Sequence, residues 1–146
     1  MFKVKDIMVS AVVSVRPEMP VYEAIRLMVN RNITGLPVVD EQLNIVGVLS
    51  EKDVLQLLYD TEIHADRTVG DYMSTDPITY DLDDSLIDVC DGLLDHTIRR
   101  VPVTCHGKLT GIVSRLDLIR AILKIKHQEA AGETVGSASH GDAHVP

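Results

Sequence analysis

Two stretches of this 146-residue chain carry the same chemistry-bearing residues at the same spacing. Gly47-Val48-Leu49-Ser50-Glu51-Lys52-Asp53 returns as Gly111-Ile112-Val113-Ser114-Arg115-Leu116-Asp117. Each copy reads as a buried strand running into a helix, with serine at the N-cap and aspartate three residues later in the first turn. Free N–H groups, a hydroxyl and a carboxylate at a helix start also suit a sugar phosphate. Capping and binding are compatible, and the residue types fit both. An anionic ligand needs concentrated positive charge, and the clearest candidate is Arg99-Arg100.

Other chemistries find little support. No nucleophile–base pair or phosphate-cradling glycine loop appears, so no enzymatic activity and no cofactor is expected. His64, His96, His106, His127, His140 and His144 lack metal-ligand spacing. Cys90 and Cys105 are too few for a disulfide scaffold; Cys90 falls on an apolar helical face and is expected in the core. A net charge of −8, one Phe, four Tyr and no Trp argue against nucleic acid. No window approaches the roughly 18 consecutive apolar residues that span a membrane. The opening Met1-Phe2-Lys3-Val4-Lys5-Asp6 breaks into charge before an apolar run can build, so a cytoplasmic location without a signal peptide is expected.

The elements that must position these residues are repeated too. Val4-Lys5-Asp6-Ile7-Met8 aligns with Val69-Gly70-Asp71-Tyr72-Met73, a shift of 69 − 4 = 65, which also places Leu36-Pro37-Val38 on Val101-Pro102-Val103. After one residue is lost in a turn, the serine–aspartate motifs follow at a shift of 117 − 53 = 64. In the first copy, Val12–Val15 reads as a strand and Val21–Arg31 as a helix with Val21, Ala24, Ile25, Met28 and Val29 on its apolar face. Pro20 suits that helix's first turn. Leu36–Val39 and Ile45–Leu49 read as a hairpin, followed by a helix from Glu51 to about Tyr59. The second copy predicts a strand at Ile78–Tyr80 and a helix from Ser85 to His96 with Leu86, Val89, Cys90, Leu93 and Leu94 inward. A hairpin through Cys105–Lys108 and a helix from Arg115 to about Gln128 complete it. Asp81, Asp83 and Asp84 favour the helix N-terminus that follows them. The expected domains are 4–60 and 69–131, with a linker at 61–68 and a disordered tail at 132–146.

Each unit is β-α-β-β-α, an α+β arrangement of roughly 60 residues that buries little surface alone. The two sheets are expected to pack on each other about a pseudo-twofold axis, leaving two related clefts. Uncovered helical faces at Leu55-Leu58 and Ile119-Ile122-Leu123 predict a homodimer.

The Asp-x-Met segments, the Leu36-Pro37-Val38-Val39-Asp40 and Arg99-Arg100-Val101-Pro102-Val103 strands, and both serine–aspartate motifs resemble a tandem pair of CBS domains, the Bateman module. The resemblance covers nearly the whole chain except the tail. It implies a regulatory module that binds an adenosine ligand (AMP, ADP or ATP, with S-adenosylmethionine as a further possibility) and signals to a separate effector protein. It also implies that Asp117 and Asp53 hold ribose hydroxyls, a role suited to an ionised carboxylate. Ser114 and Ser50 would face phosphate, and Ile112 and Val48 the base or sugar. Met19, Ala24, Ile33 and Thr34 would complete the Asp117 cleft; Asp84, Val89, Ile98 and Arg99 would complete the Asp53 cleft. Arg99 and Arg100 match positions that contact phosphate. Because their counterparts are Thr34 and Gly35, the Asp117 cleft is expected to bind more tightly. A ligand-independent scaffold is the alternative.

Overall fold

The structure, a computed structural model, describes residues 2–60, 66–96 and 98–133. The first copy builds α1 (Val21–Arg31), β1 (Gly35–Val39), β2 (Ile45–Ser50) and α2 (Glu51–Leu55), which tightens into a 3-10 turn at Gln56–Tyr59. The second opens with α3 (Val69–Tyr72) and continues with β3 (Tyr80–Asp81), α4 (Leu86–Asp95), β4 (Arg100–Cys105), β5 (Lys108–Ser114) and α5 (Arg115–Glu133).

The hairpins match in register. Pro37 faces Val48 in the first and Pro102 faces Ile112 in the second, and both are bulged at equivalent places, Val38/Val39 and Val103/Thr104. Proline is tolerated inside β1 because the outer ladder needs no donor from it: Val15 donates to Pro37 O at 3.0 Å and Val39 donates back to Val15 O at 2.8 Å. His106 and Gly107 both have positive φ, 53° and 79°, as a tight two-residue hairpin turn requires. The tips of the two hairpins are tied together, with Leu109 N donating to Leu43 O at 2.9 Å and Lys108 Nζ to Gln42 O at 2.7 Å.

Each copy lends its opening segment to the other. Val4, in a 3-10 turn at Val4–Asp6, is fully buried in a core with Leu86, Val89, Leu93, Val101, Val103 and Val113. Val69 lies in the opposite core, with Val15, Ala24, Met28, Leu36, Val38 and Leu49. The exchange is hydrogen-bonded on both sides: Val9 and Ile112 share two backbone bonds at 2.9 Å, and Val48 and Ser74 two at 3.0 and 2.9 Å. It also accounts for the motif glycines. A Cβ on Gly111 would stand 2.5 Å from Met8 Sδ, and one on Gly47 would stand 2.9 Å from Met73 Sδ and 2.7 Å from Ser74 O. The methionine of each Asp-x-Met segment thus lies on the glycine of the other copy's motif.

Several expected details are corrected. The strand expected at Val12–Val15 reduces to a single bridge between Val15 and Val38, and the one at Ile78–Tyr80 forms two residues later. Pro20 is the N-cap of α1 rather than part of its first turn, and the linker carbonyl of Arg67 takes the Val21 N–H at 2.9 Å. Val29 and Leu94, expected inward, are exposed at the edges of their helical faces. Leu27 packs against the first core instead. Cys90 is only partly buried. Asp83, besides lying near the start of α4, pairs with Lys5 at 3.0 Å; that hydrogen bond first, and charge second, hold its carboxyl below the usual 3.8. Gly132 and Glu133, assigned to the tail, continue α5; the rest of that segment and most of the linker lie outside the described residues.

Candidate functional site

Both serine–aspartate motifs form the expected N-terminal boxes. Asp53 N donates to Ser50 Oγ at 3.3 Å while Asp53 Oδ2 accepts from Ser50 N at 2.8 Å. Asp117 N donates to Ser114 Oγ at 3.2 Å, and Asp117 Oδ2 accepts from Ser114 N at 2.8 Å. The capping reading therefore holds in full.

The two carboxylates differ in what remains of them. Asp53 also accepts from Ser50 Oγ on Oδ2 and from Ser74 Oγ on Oδ1, both at 2.9 Å, so hydroxyls already engage both oxygens. Asp117 Oδ1 has an Arg120 guanidinium at 3.7 Å, from a side chain that is itself 68% exposed. The arginine reaches in from solvent at a distance too long for a hydrogen bond, so it can yield to a ligand. At Oδ1 the difference traces to one position: the residue that aligns with Ser74 is Val9, whose side chain carries no donor.

Two cavities lie between the copies. The smaller, about 210 Å³, is walled by Val9, Ala11, Val12, Val13 and Ile33 of the first copy and by Ile112, Ser114, Asp117 and Arg100 of the second. The larger, about 460 Å³, has Thr34, Pro37, Val48 and Ser50 on one side and Ile98, Arg100, Pro102 and Ile112 on the other. Lys52, His96 and Arg99 also line it against the single acid Glu51, a cationic surface on a chain of net charge −8. Arg100 Nε is buried and has no hydrogen-bond partner among the described residues, a costly state that an anionic acceptor would relieve.

The structure brings together Ile33, Arg100, Ile112, Ser114 and Asp117 in the smaller cavity, and Thr34, Val48, Ser50, Ile98 and Arg99 in the larger. Thr34, placed in the Asp117 cleft by resemblance, thus lies on the Ser50 side, and so does Arg99, which the resemblance placed in the Asp53 cleft and the charge argument counted toward the Asp117 cleft. Met19, Ala24, Asp53, Asp84 and Val89 line neither cavity. Ala24 and Val89 are wholly buried because the inner faces of α1 and α4 turn into the two cores, and Met19 packs on the first of these. Asp84 accepts from Asp81 N at 2.8 Å in the turn before α4. The sequence reading missed the apolar wall at residues 9–13, because a run that pairs with a strand only at Val9 looks the same in sequence as a strand. It also missed Arg115, whose Nε and Nη2 hold Ile98 O and Leu93 O at 2.9 Å and whose N–H holds Arg99 O. Arg115 thereby fixes the backbone from which Arg99 and Arg100 project.

Among the described residues no group of three or more His, Cys, Asp or Glu could hold a metal. No described helix is long and apolar enough to cross a membrane.

Comparison with known proteins agrees with this architecture. The sequence model of the CBS domain matches residues 4–60 and 69–124. The chain is 31% identical over 99% of its length to the CBS domain-containing protein YhcV of Bacillus subtilis, which it spans entirely. It is 32% identical to the chloroplastic CBS domain-containing protein CBSX2 of Arabidopsis thaliana over 78% of this chain and 60% of that one. It spans only 42% of another relative, the protein MJ1225 of Methanocaldococcus jannaschii. Among solved structures, CBSX2 in complex with AMP superimposes with a TM-score of 0.76 at 34% identity, covering 86% of this chain and 99% of that one. The CBS domain pair of MJ0100, in complex with 5′-methylthioadenosine and S-adenosyl-L-methionine, superimposes with a TM-score of 0.73 at 25% identity over 86% and 98%. With two matched repeats, two interlocked units that share an α-β-β-α order and clefts between them, the chain belongs to the CBS domain family as a tandem pair.

Proposed function

We propose that the protein is a regulatory sensor that binds an adenosine-containing ligand between its two CBS repeats and signals its occupancy to a separate partner. The observation that carries this is the smaller cavity: apolar walls from both repeats and, among the described residues, a carboxylate with one oxygen held only by an exposed arginine and a buried guanidinium nitrogen without an acceptor. A base would lie against Val12, Val13, Ile33 and Ile112, the ribose diol would donate to Asp117, and phosphate would pair with Arg100. CBSX2, similar over most of the chain, is solved with AMP, and the MJ0100 pair with methylthioadenosine and S-adenosylmethionine. AMP, ADP and ATP are the proposed ligands. The polyphosphates would draw on the additional cations of the larger cavity. Because the walls come from the opening segment of one repeat and the hairpin of the other, a ligand there ties the two together, and a partner could read that change.

The test is thermal unfolding with each of AMP, ADP, ATP and S-adenosylmethionine at millimolar concentration. A ligand present at a hundred times its dissociation constant stabilises by about 2.7 kcal/mol, a shift of several degrees. No shift with any of the four rejects the sensor reading in favour of a ligand-independent scaffold.

A further inference from the structure

The two cavities meet at one cation. Gly35, Arg100 and Ile112 line both, and of these only Arg100 can pair with an anion. Gly35 and Arg100 hold equivalent places: each begins the first strand of its hairpin, and they sit opposite Ser50 and Ser114 respectively. A pair symmetric in its side chains would carry two guanidinium groups here; this chain has one, shared. The smaller cavity has no other cationic side chain in its wall, whereas the larger also has Lys52 and Arg99.

We propose that anionic ligands in the two cavities compete for the Arg100 guanidinium, so that filling the Asp117 cavity weakens anion binding in the larger cavity, and the reverse. This rests on the nucleotide reading above and adds a regulation to it. Among the described residues Arg100 is the one cation in the wall of the smaller cavity, Arg120 reaching Asp117 from solvent, so an anion there draws Arg100 in. A second anion then loses that hydrogen bond and keeps only Arg99 and Lys52. Losing one charge-assisted bond lowers affinity roughly 10-fold or more. Linkage makes the effect equal in both directions.

Calorimetric titration of the full chain with AMP tests this. Wild type should show a tight site and a second one at least about tenfold weaker. Asp117→Ala should weaken the tight site at least roughly tenfold and, by freeing Arg100, tighten the other one by about tenfold over its wild-type value. Gly35→Arg supplies a second guanidinium where a Cβ would meet nothing nearer than Leu49 O, at 3.6 Å. It should tighten the weak site by a similar factor. Unfolding curves of each variant confirm that the fold is retained. A weak site with the same affinity in wild type, Asp117→Ala and Gly35→Arg overturns the coupling while leaving the nucleotide reading intact. So does a single site that vanishes in Asp117→Ala with no second site taking its place. Absence of any AMP binding to wild type overturns both.

Discussion

Gly111 shows how a single residue type is dictated by a contact about a hundred positions away. Its backbone does not need the left-handed region; its hydrogen is required because Met8 Sδ and Val9 O would stand 2.5 and 3.1 Å from a Cβ. Gly111→Ala should therefore push the opening segment off β5 and cost about 1–3 kcal/mol, as overpacking of a tight contact does. Chemical denaturation would measure it, with Gly35→Ala as a control expected to cost less. An equal loss at Gly35 would mean that general strand propensity, and not the methionine contact, explains the glycine. Both the glycine motifs and the Asp-x-Met segments are visible in the sequence as repeats. Their crosswise pairing is not, because periodicity reports the face of one element and says nothing of which element covers it. The same limit hid the inequality of the aspartates: Asp53 and Asp117 look alike in their motifs, and the hydroxyl that engages Asp53 comes from Ser74, outside both.

At the level of elements, the exchanged segments make each hydrophobic core a joint product of both repeats. Val4 is fully buried among the side chains of α4, β4 and β5. Val4→Ala should cost about 1–3 kcal/mol, the lost transfer of two methyl groups plus a cavity. Hydrogen exchange should place the loosening in the second repeat, at residues 101–113, and not in the first, to which Val4 belongs in sequence. Loosening confined to residues 12–49 would contradict the exchange. The elements with strong local signals were legible: α1 from its helical apolar spacing, both hairpins from apolar runs around turn residues, and α2 and α5 from serine caps. Val12 and Val13 misled because these apolar residues line a cavity instead of pairing in a sheet. Leu94 misled because it lies near the end of α4, where none of the described residues covers its side of the helix.

For the whole molecule, two groups of exposed apolar side chains stand out among the described residues. Leu55, Leu58 and Tyr59 after β2, and Leu116, Ile119, Ile122 and Leu123 along α5, are all more than half exposed. Single exposed apolar residues are ordinary, but two such groups at equivalent places in the two repeats are a surface that closed twofold association would cover. A homodimer is expected, and light scattering at tens of micromolar should give twice the chain mass. Leu58→Glu with Ile122→Glu should return it to a monomer without loss of secondary structure. A monomeric wild type would leave these faces to a different partner.

The claim on which the account turns is that Asp117 and Arg100 hold an adenosine phosphate between the repeats. The most direct measurement is the affinity of AMP for wild type and for Asp117→Ala, by calorimetry, on protein whose melting shows it folded. Losing a charged hydrogen bond to the ribose costs about 1.5–3 kcal/mol, so the tight site should weaken at least roughly tenfold. Unchanged tight binding in Asp117→Ala, with the loss appearing instead in Asp53→Ala, would place the ligand in the other cleft and contradict the account.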